Sequence, residues 1–314
     1  MIWPKDSNTK GVVELVEGVK LQNVETRAIL TLDMVSTDDY ILDSVDWGQV
    51  ESTRHSYKYV NQIGVYVTGT SLETRNVKIQ GWVIAEDSTQ MSQRKRVLNR
   101  FFNPQQAVDL FYQDYVLRFL PNTSIQYSTT IADNNEVVCK FKVEGFCPDP
   151  LFAKQLENKT VAASTVGLFH FPLVISKSPD PPGGTVFGLR KPSLIVAIEN
   201  NGAVSVGMRI VFKANGTITG PTLVDVNRQK YFKINKTLQA GEQIEVNTVT
   251  GQRKIVGTTN GITSNYFKYR DLDSEWLQLA VGSNLFRYDA DSNISNLEVY
   301  IYYNDKYLEV QECY

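Results

Sequence analysis

Apolar and polar residues alternate along most of this chain, and the alternation changes period only once. Val77, Ile79 and Val83 share one parity while Lys78 and Gln80 take the other, the period of two of a strand with one buried face. The clearest example runs from Glu136 to Glu144: Val137, Cys139, Phe141 and Val143 fall on one side, and Lys140, Lys142 and Glu144 on the other. Ile63 to Val67, punctuated by Gly64 and Gly69, predicts a further strand. Between these, the period becomes helical. Asp87-Ser88-Thr89 offers capping oxygens, and Met91, Arg94, Val97, Leu98, Phe101 and Phe102 then recur at helical spacing. Asn103-Pro104 ends the helix, because the residue before proline avoids the α region.

The second half reads as strand, turn, strand. Ser193–Glu199, Met208–Lys213, Tyr231–Ile234, Gln243–Val246 and Arg253–Val256 are predicted strands, separated by Asn- and Gly-rich turns such as Asn200-Asn201-Gly202 and Asn260-Gly261. Leu297, Val299, Ile301 and Tyr303 alternate, and Lys306–Val310 closes the chain. Many short strands at regular spacing indicate antiparallel sandwiches. Two breaker clusters interrupt the middle: Cys147-Pro148-Asp149-Pro150, and Ser178 to Gly184 with three prolines. The 314 residues make two domains the natural division. The pattern gives 1–147 and 148–314, with a boundary as late as 188 as the alternative; the stretch Leu151 to Ile175 is ambiguous. The fold class is mostly β, with one main helix.

Composition narrows the function. Lys+Arg is 32 against Asp+Glu 34, so specific nucleic-acid binding lacks electrostatic support. No stretch is apolar enough to span a membrane, and the start shows no signal-peptide pattern; the expectation is synthesis in a reducing cytoplasm. Tyr (16) and Phe (14) are plentiful and favour strands, whereas His is only 2, which disfavours metal and general-base chemistry. The three cysteines, Cys139, Cys147 and Cys313, are too widely spaced for a zinc motif. Cys139 falls on the apolar parity of its strand and reads as a core thiol. His55 and His170 stand alone in the sequence. No G-x-S-x-G elbow appears, and Gly183, Gly184 and Gly188 follow prolines in the wrong context for a phosphate loop. Asp289-x-Asp291-x-Asn293 begins like a calcium loop but has Ile294 where Gly is required and Tyr300 where Glu is required. Asp271-x-Asp273-x-Glu275 fails in the same way. The reading is no enzyme, no catalytic residue, no metal and no cofactor. The polar face of the helix, with Arg94, Lys95, Arg96 and Arg100, is the candidate protein interface, since Arg is enriched at such surfaces.

Taken in order, these segments resemble a known family. The strand Arg75 to Trp82, the helix Met91 to Phe102 with Asn103-Pro104, and the junction Gly145 to Pro150 are similar to the N-terminal belt domain of siphophage distal tail (Dit) proteins. Tyr231 to Asn235, Gly241 to Thr248, Gly251 to Lys254, Trp276, and Leu279-x-x-Gly282-x-Asn284 resemble that family's galectin-like C-terminal domain. The resemblance implies a β-sandwich-like belt domain carrying the helix, followed by a galectin-like antiparallel β-sandwich. It implies a structural part of a phage tail tip or baseplate: a hexameric hub ring joining the tail tube protein to the tail-associated lysin or fibre, with a receptor-binding protein as a further partner. It implies residence in the virion after synthesis in the host bacterium. The alternative is a carbohydrate-binding module contacting cell-wall saccharide through Tyr231, Tyr269, Trp276, Tyr300 and Tyr302. A wall hydrolase is disfavoured by the missing nucleophile and metal motifs.

Overall fold

A computed structural model describes residues 18–34, 39–61, 63–130, 132–161, 164–167, 188–191 and 195–310. His170, Cys313 and the Ser178 to Gly184 breaker lie outside the described residues. The chain divides into two compact units, residues 1–155 with 307–314, and residues 156–306.

In the first unit the strands are β1 (Val19–Asn23), β2 (Ile29–Leu32), β3 (Tyr40–Asp46), β4 (Ser52–Tyr57), β5 (Tyr66–Leu72) and β6 (Arg75–Ile84). Helix α1 (Ser88–Phe101) follows, then β7 (Val108–Tyr112), β8 (Tyr115–Pro121), β9 (Gln126–Tyr127), β10 (Val138–Cys147) and β11 (Phe152–Lys154). The main sheet runs β2-β1-β7-β8-β10-β6-β3. Its two ends meet: Asp33 bridges Ile41, and Leu42 N–H donates to Asp33 O at 3.0 Å. The sheet therefore curls around one core, which removes the open edges a flat sheet exposes.

The predicted parities hold in this core. Val77, Ile79 and Val83 are buried on β6, as are Cys139, Phe141 and Val143 on β10, but Val137 precedes the strand and is exposed. The helix starts where the cap signal puts it, with Asp87 Oδ1 accepting from Gln90 N–H at 2.7 Å. Met91, Leu98, Phe101 and Phe102 are buried, while Val97 is exposed. At about 100° per residue Val97 stands roughly 120° round from Met91, off the packed stripe. The Ile63 to Val67 run is strand only from Tyr66 on. Gly64 turns the chain with φ +81°, and β5 begins only at Tyr66.

The second unit is a sandwich of two antiparallel sheets. One orders Asn158–Val161, Leu297–Tyr303, Arg209–Ala214, Gln243–Asn247, Lys254–Thr259 and Ile262–Asn265; the other orders Ile195–Asn200, Gly282–Asp289, Thr222–Asp225 and Lys230–Lys233. Leu297, Val299, Ile301 and Tyr303 all point inward, as their alternation requires, and meet Phe286, Tyr288, Phe232 and Leu223 from the other sheet. Glu242 ties a turn to this body. Its carboxylate accepts from Gln239 N–H at 2.7 Å, from Thr259 Oγ1 at 2.9 Å and from Lys236 Nζ at 3.2 Å. Burial pushes the carboxyl up, but those donors outweigh it and hold it below the usual glutamate value.

Two outcomes test this packing. A Cβ on Gly145 would lie 2.2 Å from the ring of Phe119, which is fully buried. Gly145→Val should cost the first unit about 3 kcal/mol, read from urea unfolding. A depressed carboxyl contributes stability above its unfolded pKa and loses it as pH falls through the folded pKa. Glu242→Gln should therefore cost about 1–2 kcal/mol at pH 7. The gap to the native chain should shrink below about pH 4, followed by Trp276 fluorescence in urea.

Candidate interaction surfaces

The helix presents the four predicted cations in two different settings. Arg94 is half-buried: its guanidinium donates to Ile84 O at the end of β6 and pairs with Asp39 at 2.5 Å. Lys95 Nζ donates to Asn134 Oδ1 at 3.0 Å and sits 5.1 Å from the Tyr127 ring. These two fasten the helix to its own sheet. Arg96 and Arg100 are exposed beside exposed Val97. The geometry brings all four to one helix and leaves only two of them, with Val97, free to meet something else.

At the other end of β6 stands a feature that the alternation pattern does not reveal. Among the described residues strands β4 and β5 pair only with each other, in a two-stranded ribbon with a bulge between His55 and Ser56. Every residue of β4 is exposed, and on β5 only Gly69 is partly covered. The ribbon and its loop expose Tyr57, Tyr59, Val60, Ile63, Tyr66 and Val67, with Ile63 entirely in solvent. Tyr57 packs edge-on to Tyr59 at 5.0 Å and tilted on Tyr66 at 5.2 Å. His55 is on this ribbon, and its carbonyl accepts from Thr68 Oγ1 at 3.0 Å. An isolated hairpin is marginal in water, and a contiguous exposed apolar patch marks an interaction surface. Beside the ribbon's root lies a cleft of about 580 Å³ lined by Asp46, Glu51, Glu73, Glu144 and Lys78. Strand β6 spans ten residues, about 30 Å at strand rise, so an acidic cleft with an apolar ribbon marks one end and a basic helix the other.

The remaining candidates are engaged within the fold. Cys139 and Cys147 are buried free thiols, and burial pushes the Cys147 thiol up to about 12, away from the thiolate that nucleophilic chemistry uses. Asp291 pairs with Lys233 at 2.7 Å. Asp271 accepts from Asn235 Nδ2 at 2.8 Å and from Tyr231 OH at 3.3 Å; the Asn235 bond leads in holding its carboxyl below the usual range. The aromatic rings suited to sugar stacking are also occupied. Trp276 packs on Phe232 at 5.3 Å and lies beneath Arg270 at 5.3 Å and Arg253 at 5.4 Å. Arg209 lies 4.0 Å from the Tyr302 ring, Lys159 sits 4.8 Å from Tyr300, and Tyr269 packs on Tyr266 at 5.3 Å. Among the described residues no helix is long and apolar enough to cross a membrane.

Comparison with known proteins gives these surfaces a context. Residues 37–126 match the phage tail protein RIFT-related domain, and residues 201–307 match the siphovirus-type tail component, C-terminal domain. No curated protein sequence matches the chain. Among solved structures, the Dit protein (gp 19.1) of phage SPP1, described as a paradigm of the hub adsorption apparatus in phages infecting Gram-positive bacteria, aligns with a TM-score of 0.63 at 13% identity. That alignment covers 92% of this chain and 98% of that one. A chain of the phage P2 baseplate, in its activated conformation with Ca, aligns with a TM-score of 0.50 at 10% identity, covering 92% and 98%. At these identities the structural likeness establishes the fold, and the two family matches, one in each unit and in order, supply the kinship: the chain belongs to the siphophage distal tail protein family.

Proposed function

We propose that six copies of this protein close into a ring at the tail tip, joining the tail tube to the tail-associated lysin or fibre and offering a platform to a receptor-binding protein. The belt unit, residues 1–155 with 307–314, forms the ring, and the galectin-like unit, residues 156–306, offers the platform. The protein acts by shape and contact, without catalysis, after synthesis in the host cytoplasm.

One observation carries this reading: the β4–β5 ribbon exposes a band of tyrosine and aliphatic side chains that nothing among the described residues of its own unit covers. Burying such a band is the main favourable term in association. A ring is built from head-to-tail contacts, in which two different surfaces of one subunit meet. The two ends of β6 supply such a pair. The ribbon and the acidic cleft at its root lie at one end, and Arg96 and Arg100 with exposed Val97 lie at the other. Opposite charges at the two ends set the register of the contact and disfavour like-to-like docking. Of the four helix cations, Arg96 and Arg100 are assigned to the neighbour, and Arg94 and Lys95 to holding the helix in place.

Two measurements test the assignment. Tyr57→Ser, Ile63→Ser and Tyr66→Ser combined should convert six-fold rings seen by electron microscopy into single subunits with unchanged far-UV circular dichroism. Rings that persist in this variant, or a native protein that stays a single subunit even with the tube protein, would sink the proposal. Arg96→Glu with Arg100→Glu should weaken assembly about tenfold or more while leaving unfolding of the single subunit within about 0.5 kcal/mol. Arg94→Ala should instead lower stability by about 1–2 kcal/mol.

A further inference from the structure

A second cavity lies at the start of β6, within the first unit. It has a volume of about 260 Å³ and is walled by Trp47, Gln49, Arg75, Phe152 and Glu309. Arg75 opens β6 on the same parity as Val77 and Ile79, where the period of two calls for an apolar side chain. It is 2% exposed. Its Nη2 donates to Leu308 O, and its guanidinium lies 4.5 Å from the centroid of the Phe152 ring. Among the described residues its Nε meets no acceptor. Trp47 is 4% exposed and packs edge-on to Phe152 at 5.4 Å, and its Nε1 likewise meets no acceptor among the described residues.

Both groups are donors only. A buried guanidinium is ordinarily paired with an acid, yet among the described residues no acid forms an ion pair with Arg75. Glu309, on the exposed lip of the cavity, acts on it only through space. Among the described residues, two buried donors without an acceptor, one of them charged, therefore belong to residues that line one cavity with aromatic sides. What they lack is an acceptor that carries negative charge.

We propose that this cavity is a socket for a carboxylate, which enters past Glu309 and draws the Arg75 guanidinium and the Trp47 indole onto its two oxygens. The planar group suits the fork of an arginine flanked by rings. A phosphate is disfavoured, because Glu309 repels a second negative charge at the mouth. The carboxylate comes either as a free small acid or as an acidic side chain on a partner polypeptide. The socket's chemistry is the same for both, and it operates whether or not the chain forms a ring.

The test uses the full chain labelled with 5-fluorotryptophan, which reports the four tryptophans separately; the Trp47 signal is assigned with Trp47→Phe. Sodium acetate is titrated against a sodium chloride control of equal ionic strength, and a capped Gly-Glu-Gly peptide forms the second arm. The expected result is a saturable shift of the Trp47 signal with acetate, the other tryptophan signals staying still. Glu309→Gln, at an exposed position, should tighten binding roughly threefold by removing a like charge, and Arg75→Lys should weaken it about tenfold. Tighter binding of the peptide than of acetate assigns the socket to a partner chain, and binding of acetate alone assigns it to a free acid. A Trp47 signal that stays still in both the native chain and Glu309→Gln, or that moves equally with chloride, overturns the proposal.

Discussion

The ladder between β6 and β10 is the constraint on which the first unit depends. Ten consecutive residues of β6 pair with ten of β10, from Arg75 opposite Cys147 to Ile84 opposite Val138. The ladder has to be tight in two places. At Gly81 a Cβ would lie 2.6 Å from Ile41 O and 2.7 Å from the Phe141 ring, and at Gly145 it would meet the Phe119 ring. Both glycines surrender side-chain packing so that a phenylalanine can lie across the strand, an exchange that favours the larger apolar area. Because β6 also pairs with β3 on its other side, it fixes where the chain leaves the barrel at both ends. The helix leaves from Ile84 and is pinned by Arg94, and the ribbon enters at Arg75. The separation of the two candidate surfaces is therefore a property of one strand.

Most of the regular core was legible because burial on one face writes a period into the sequence. Val77, Ile79 and Val83, or Leu297, Val299, Ile301 and Tyr303, can be read only one way, and the Asp87 cap marks a helix start by its own chemistry. Other elements resist reading because burial does not sort polar from apolar in them. Ser52–Tyr57 is exposed on both faces, so no alternation exists to find, and Tyr66–Leu72, equally exposed, shows only its start in the sequence. The apolar residues around Ile63 look the same in sequence whether they enter a core or await a partner. Gly282–Asp289 was missed for the opposite reason. Asn284 takes an inward position and is fully buried, holding Ala280 N–H at 2.9 Å and donating to Ala280 O at 2.7 Å. A polar residue satisfied by backbone breaks the pattern without breaking the strand.

The interface residues show the same limit at the scale of single side chains. Sequence reveals four cations on one helix, but not which of them has a carbonyl or an acid within reach. Arg94 finds Ile84 O and Asp39, and Lys95 finds Asn134, because β6, the residues before β3 and the loop before β10 converge there. That convergence is a product of the sheet order, in which strands distant in sequence are neighbours. Arg75 is the converse case. Its inward parity is visible in the sequence, but that no acid among the described residues pairs with it is a fact of three-dimensional placement.

The ribbon raises a question of energetics that its composition answers. A two-stranded hairpin without a core beneath it loses backbone entropy for few contacts. Here the order is supplied locally. Tyr57, Tyr59 and Tyr66 pack on one another near the turn, Thr68 Oγ1 donates to the carbonyl of His55 across the strands, and Glu73 N–H donates to Glu51 O at the root. Tyrosine suits this position better than leucine, because it offers a large ring for cross-strand packing while its hydroxyl tolerates water until a partner arrives. Organising the ribbon before contact lowers the entropy still to be lost on docking, so that the apolar area it carries counts toward association. A surface with this combination of local order and open apolar area is matched to binding, and its position at the end of β6 gives that binding a fixed direction relative to the helix.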